Sequence, residues 1–294
     1  MQRIRMETAM PAKESFLIFL NGRKANKMFN SAKRLVSDIW NDRRLMGSLS
    51  VKDFQRKFSG TYFGMVWAIA QPLLTILVYW FAFQYGFHSS DVEGTPYVVW
   101  FMCGIVPWLF VTEAVSSASN SFIEYNYLIK KVKFNVSILP CVKILSAFYI
   151  HLFFCVFTLL IAWGFHIKPT LYLLQIPYYM AANFAILFVL TVLTSSVVVF
   201  FRDLNQIISV ILLIGMWGTP IAWNLMDFSA KVHPIFKANP FYYIIEGYRD
   251  AVIGRKWFWE TPRLTFYFWI IVILLMFISS TIYYKLKPHF ADTV

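Results

Sequence analysis

Charge is scarce in this chain. Only 14% of its 294 residues are Asp, Glu, Lys or Arg, whereas soluble domains carry about 25%. Hydrophobic residues make up 59% and aromatics 19%, so a water-soluble globule and a disordered chain are both excluded. The three cysteines, Cys103, Cys141 and Cys155, form no C-x-x-C pair and sit in or beside apolar runs. They read as buried free thiols, and no metal site is expected. Neither a G-x-x-x-x-G-K-[ST] phosphate loop, an H-E-x-x-H pair nor a nucleophile elbow occurs. The chain is therefore expected to bind no nucleotide or other cofactor and to carry no catalytic residue. No secretory leader is expected either, because Phe16 to Leu20 is shorter than a signal-peptide core.

What the sequence has in quantity is long uncharged runs: Phe58 to Ser90, Gly94 to Thr112, Ile144 to Ile167, Pro169 to Phe201, Leu204 to Met226 and Leu264 to Tyr284. About 20 helical residues cross ~30 Å of hydrocarbon, and continuously apolar runs read as helices rather than barrel strands. The expected fold is all-α, with six membrane helices near 64–87, 95–116, 143–166, 174–201, 204–224 and 264–284. Net charge is +12, and alternating the flanks places 20 Lys and Arg on the N-terminal side against seven on the other. Both termini are thus expected in the cytoplasm, and the basic balance marks a cytoplasmic flank rather than a nucleic-acid footprint. None of the six runs contains a carboxylate or a basic residue. Ion-coupled transporters bury such groups, so any uphill transport needs energy from a partner.

Outside the spans, residues 1–30 read as a loosely ordered cytoplasmic arm, 31–58 as amphipathic interface helices, 59–288 as the membrane domain and 289–294 as a cytoplasmic tail. Ala32, Leu35, Val36, Ile39 and Trp40 recur at helical spacing. A second helix is expected to start at an Ser50 cap, with Val51, Phe54 and Phe58 opposite Lys52, Arg56 and Lys57. Gly60 and Gly64 form a G-x-x-x-G, which permits close helix approach. Between spans two and three, Asn120 or Ser121 is positioned to cap a short helix whose apolar side is Phe122, Tyr125, Leu128, Ile129 and Val132, with Lys130, Lys131 and Lys133 near its end. Such a helix needs a cover, either another span or a partner groove.

The external segment 227–262 reads as a re-entrant element. Asn239 and Pro240 are a cap and a first helical residue, followed by an apolar face and a charged group of Glu246, Arg249 and Asp250 at pairing distance. That group reads as a structural pin or a substrate contact. Aromatics crowd spans one and five; Tyr79, Trp80, Phe83, Trp217 and Trp223 are candidates to face a conduit, where rings suit sugar C–H faces. A membrane transferase acting on lipid-linked sugars shares these features, but Glu113 and Glu124 are its isolated carboxylates. A channel or secondary transporter is disfavoured, because the uncharged runs lack the intramembrane charges such proteins carry.

Four motifs appear in order: Gly60 to Trp67 with Gln71-Pro72; Lys130-Lys131-Val132-Lys133-Phe134; Phe201-Arg202-Asp203-Leu204; and Asn239 to Arg249. Together they resemble the membrane subunit of ABC-2-type polysaccharide exporters, the teichoic-acid, O-antigen and capsule permeases. Val78 to Gly86, Leu174 to Met180 and Leu264 to Ile270 are most similar to wall teichoic acid permeases. The resemblance implies a homodimer in a bacterial cell membrane, bound to two separate ATPase subunits that hold ATP and Mg, exporting an undecaprenyl-diphosphate-linked polymer. It further implies that Phe122, Tyr125, Leu128 to Val132 and Phe134 dock in the ATPase, with Arg202 and Asp203 as a second cytoplasmic contact. Lys52, Arg56 and Lys57, the nearest basic group, would collect the substrate head group or bind membrane lipid. Spans one and five of facing subunits would wall the conduit.

Overall fold

The computed structural model describes residues 28–60, 62–88, 91–131 and 135–290. Two helices precede the first span: α1 over 28–41 and α2 over Arg43–Phe58. The rest are α3 Val66–Phe81, α4 Tyr97–Ser119, α5 Ser121–Glu124, α6 Asn126–Lys131, α7 Ile138–Gly164, α8 Ile176–Val198, α9 Leu204–Trp217, α10 His233–Lys237, α11 Pro240–Ile253 and α12 Pro262–Leu286. No strand occurs among the described residues, where the only β-type pairing is one bridge between Val92 and Thr95. Five helical stretches are long and apolar enough to cross a membrane: Val66–Gly86, Tyr97–Ser119, Ile138–Gly164, Leu171–Val198 and Pro262–His289. The chain is a multi-pass, all-α membrane protein. Of the arm read over 1–30, residues 1–27 lie outside the described residues, and the first helix already includes 28–30.

The centre of the bundle is α4. It packs on α7, α8, α11 and α9, so most of its side chains are buried on every face. A helix apolar all round has no lipid-facing preference, and surrounding it satisfies that pattern. By contrast α3 buries only Ala68 and Ile76, leaving most of its apolar surface open. Two ends can be told apart. Ser119 at the end of α4 donates to Thr194 near the end of α8, and Asn205 at the start of α9 donates to Asn120; α1, α2, α5 and α6 gather at this basic end. The far end carries α10 and α11.

The stretch 204–224 crosses differently from the other five. α9 has 14 residues, ~21 Å at 1.5 Å per residue, and it stops at Gly218-Thr219-Pro220, where proline removes an amide donor. The chain then continues as buried irregular backbone through Thr219, Ile221 and Ala222, which hydropathy alone does not distinguish from helix.

The helix expected to begin at Ser50 begins seven residues earlier, so Ser50 is not a cap. It lies inside α2, fully buried, bonded to the Gly47 carbonyl and the Tyr149 hydroxyl. The α2 side that packs on α7 carries Ser50 and Asp53, while Val51 faces outward. Phe54 packs against the Tyr149 ring of α7 and Phe58 is half-buried, as the expected stripe has them, while Lys52 and Arg56 are exposed; only Val51 departs from it. Gly60 and Gly64 make no close helix contact either. Both have positive φ, and nothing lies within 4 Å of where a side chain would begin, so they serve the turn between α2 and α3.

Candidate functional site

The loop between spans two and three is two short helices, α5 and α6, hinged at Tyr125. Asn120 precedes α5 but its side chain makes no cap bond; it accepts from Asn205 instead. Phe122 does not project toward a partner. It is fully buried, 5.0 Å from the Phe290 ring and 6.1 Å from that of Tyr283, and Phe290 also meets Phe200. Residues 289–294, expected to be a solvated tail, thus supply the buried Phe290 under α5. Leu128 is half-buried in α6. Val132 and Phe134 lie outside the described residues, as do the side chains of Ile129, Lys130 and Lys131.

A polar clamp holds the other side of the loop. Lys143 in the first turns of α7 reaches Asp53 on α2 at 2.8 Å and Glu124 on α5 at 2.5 Å, and the Tyr125 hydroxyl donates to Asp53 at 2.7 Å. Burial and the hydrogen bond to ionised Asp53 raise the Tyr125 phenol, keeping it a donor at neutral pH. One lysine thereby ties an interface helix, the loop and a span together. Neither Lys143 nor Asp53 is marked in the sequence, because partners so far apart in the chain leave no local signal. Glu113, read as isolated, pairs with Lys57 at 2.5 Å. The helices extend past the uncharged runs, so α4 contains Glu113 and α7 contains Lys143, each paired near the basic end.

Lys52 and Arg56 are exposed on the outer side of α2, beside Lys57. Arg202 and Asp203 are exposed at the same end, just before α9. Asp42 accepts from Asn135 at 2.6 Å and Asp38 from Tyr284 at 3.0 Å, fastening α1 and the α1–α2 junction to α12 and to the start of α7.

At the far end Asn239 and Pro240 act as read: the Asn239 side chain accepts from the Phe241 amide at 3.0 Å and Pro240 opens α11. The helix is buried in protein, packed on α4, α8 and α12, rather than lying in lipid. Arg249 is fully buried. It pairs with Glu246 at 2.6 Å, donates to the Ile221 carbonyl at 2.9 Å and stacks 3.5 Å over the Trp100 ring. Each guanidinium nitrogen of Arg249 has a partner within the protein. Tyr248 bonds His151 of α7 at 2.8 Å. Asp250 is half-buried, and burial, followed by repulsion from Glu246, raises its carboxyl to about 7.

The candidate conduit aromatics divide. Tyr79 meets Phe101, which stacks on Tyr97; Tyr97 stacks on Phe83, and Phe83 approaches Trp217 at 6.3 Å, so Tyr79, Phe83 and Trp217 belong to one run of rings. Trp223 joins it only through its indole N–H, which donates to the Trp217 carbonyl at 3.2 Å, and Trp80 packs on Tyr85 outside it.

The fold is thus a multi-pass helical bundle with a clamped loop at one end and a buried short helix, α11, at the other. The profile of the ABC-2 type transporter family matches residues 44–253, and the chain belongs to that family. It is 26% identical over 251 residues to an O-antigen export system permease protein RfbA of Klebsiella pneumoniae, covering 84% of this chain and 94% of the relative. It is 22% identical over 264 residues to a protein of the same name from Myxococcus xanthus, covering 89% and 99%.

Proposed function

We propose that this chain is the permease subunit of an ATP-driven exporter that moves an undecaprenyl-diphosphate-linked polysaccharide from the cytoplasm to the outer face of a bacterial membrane. The basic end faces the cytoplasm in this reading, with both termini there. Two copies pair through the open apolar surfaces of α3 and α9, and two ATPase subunits seat against α5 and α6. The observation that carries it is the doubly held loop: Phe122 is wedged on Phe290, and Glu124 and Tyr125 are tied through Lys143 and Asp53 to α2 and α7. A push on α5 therefore passes to an interface helix and a span at once. On ATP binding the ATPase subunits close, the loop moves, and α3 and α9 of facing copies part to admit the polymer. Lys52, Arg56 and Lys57 collect the anionic head group, and Arg202 and Asp203 form a second ATPase contact.

The relatives are O-antigen export permeases by name, which favours an O-antigen-type polymer. Wall teichoic acid is the second reading, resting on Val78 to Gly86, Leu174 to Met180 and Leu264 to Ile270. Co-purification with an ATPase subunit in nanodiscs, followed by ATP hydrolysis, tests the assignment. Capture and hydrolysis are expected, and both should be lost when Ile129 and Val132 are made Asp. A preparation that captures no ATPase refutes it, and transport of lipid-linked O-antigen against teichoic acid separates the two substrates.

A further inference from the structure

Two cavities meet at one ion pair. The first, about 220 Å³, opens at the basic end and is lined entirely by polar or charged residues, among them Asp53, Arg56, Glu124 and Lys143. The second, about 150 Å³, lies between α3, α4 and α7, with Gln71, Thr75, Thr112 and His151 in its otherwise apolar walls. Lys57 and Glu113 line both. The second cavity extends along α4 from Glu113 back to Val106 and along α7 from Ala147 to Phe154, a depth of ~10 Å at 1.5 Å per residue. At its inner wall His151 is held by Tyr248 of α11.

The cations of the polar cleft are not equivalent. Lys143 is nearly buried and doubly paired, so withdrawing it strands the buried Asp53 carboxylate. Lys57 and Glu113 are 40% and 38% exposed, and an ion pair that accessible is worth only ~0–1 kcal/mol. The charges of the cleft balance, with Arg56, Lys57 and Lys143 against Asp53, Glu113 and Glu124. Arg56 is exposed and in no ion pair among the described residues, so it meets an incoming anion first; of the two cations that must leave a carboxylate to add a second contact, Lys57 leaves at least cost.

We propose that Lys57–Glu113 is a latch between the two cavities, opened when the phosphate of a lipid head group takes Lys57 from Glu113. This rests on the exporter reading and adds the control of its intake. Phosphate offers more acceptor oxygens and more charge than a carboxylate, so the exchange favours the head group, and the vacated space joins the cleft to the cavity. Two lipids present that chemistry: the polyprenyl diphosphate of the cargo and the anionic glycerophospholipid of the membrane. The latch belongs to the first.

The test measures binding of radiolabelled polyprenyl diphosphate to the permease–ATPase complex in nanodiscs of neutral lipid, with phosphatidylglycerol as a parallel ligand. Glu113→Gln frees Lys57 and should tighten polyprenyl diphosphate binding by up to about fivefold, the value of the exposed ion pair that no longer competes. Lys57→Gln should weaken it by a similar factor, and the double variant should match Lys57→Gln alone. A merely structural pair behaves otherwise: both single variants weaken binding, and the reversed pair Lys57→Glu/Glu113→Lys restores it. That pattern, or an unchanged Glu113→Gln, overturns the latch, as does a response confined to phosphatidylglycerol. Failure to capture the ATPase refutes the exporter reading, and the same titrations on the permease alone still decide the latch.

Discussion

Removing the ammonium of Lys143 is the most informative perturbation of the clamp. Asp53 and Lys143 side chains are 7% and 10% exposed, and Glu124 is 43% exposed. Deleting one partner of a buried pair costs ~3–5 kcal/mol because the other charge is left in a poorly solvated site. In Lys143→Met, Asp53 keeps its hydrogen bond from Tyr125, so the lower end, about 3 kcal/mol, is expected. Glu124→Gln should cost only ~0–1 kcal/mol, since water reaches that carboxylate. Asp53→Asn/Lys143→Met removes both buried charges and should recover ~2 kcal/mol of the loss, a coupling typical of residues in contact. Equilibrium unfolding in mixed micelles, followed by tryptophan fluorescence, measures these three variants, Asp53→Asn alone and the wild type. The reasoning fails if Glu124→Gln is as damaging as Lys143→Met, or if the Asp53 and Lys143 losses simply add. In the assembled transporter Lys143→Met should also leave ATP hydrolysis running while polymer export falls.

Gly247→Ala would place a methyl 2.0 Å from the Tyr179 ring, so we expect misfolding or loss of several kcal/mol, rescued in part by Tyr179→Ala; equal expression and melting of Gly247→Ala and wild type would refute the contact. Phe290→Ala empties the space against Phe122 and Tyr283 and should cost ~3–5 kcal/mol, visible as a lowered melting temperature. Asp250 titrates near 7 in the folded chain, above the ~3.9 of an unfolded aspartate. Its contribution to stability is therefore fully present below about pH 4 and is lost as pH rises through 7. Melting temperature should decline between pH 5 and 8 in the wild type and less steeply in Asp250→Asn, and identical slopes would count against the assignment.

Segments whose structure is set by local chemistry were legible in the sequence. The Asn239–Pro240 start of α11 follows from a side chain bonding an amide two residues away, and the long spans follow from composition. Of the charged residues of α11, Glu246 and Arg249 pair one turn apart, while Asp250 forms no ion pair with either. What was not legible depends on the third dimension. Ser50 and Asp53 point inward because Tyr149 and Lys143 wait on α7, and no periodicity within α2 reveals that. Phe290 looked like part of a tail because its pocket is assembled from α5, α12 and the α8–α9 turn. The stop of α9 was written in Gly218-Thr219-Pro220, yet the apolar run to Met226 concealed it.

The shortness of α9 bears on how the protein is made. A helix of 14 residues falls well below the ~20 that partition stably into a bilayer, and the backbone after it relies on donors from elsewhere: Tyr97 for the Ala222 carbonyl and Arg249 for that of Ile221. Asn239 in turn bonds the Thr219 hydroxyl. Asn239 and Arg249 are synthesised later than the segment they support. The backbone pairing of this stretch therefore cannot be completed until residue 249 has been made, and it waits on the folding of α11.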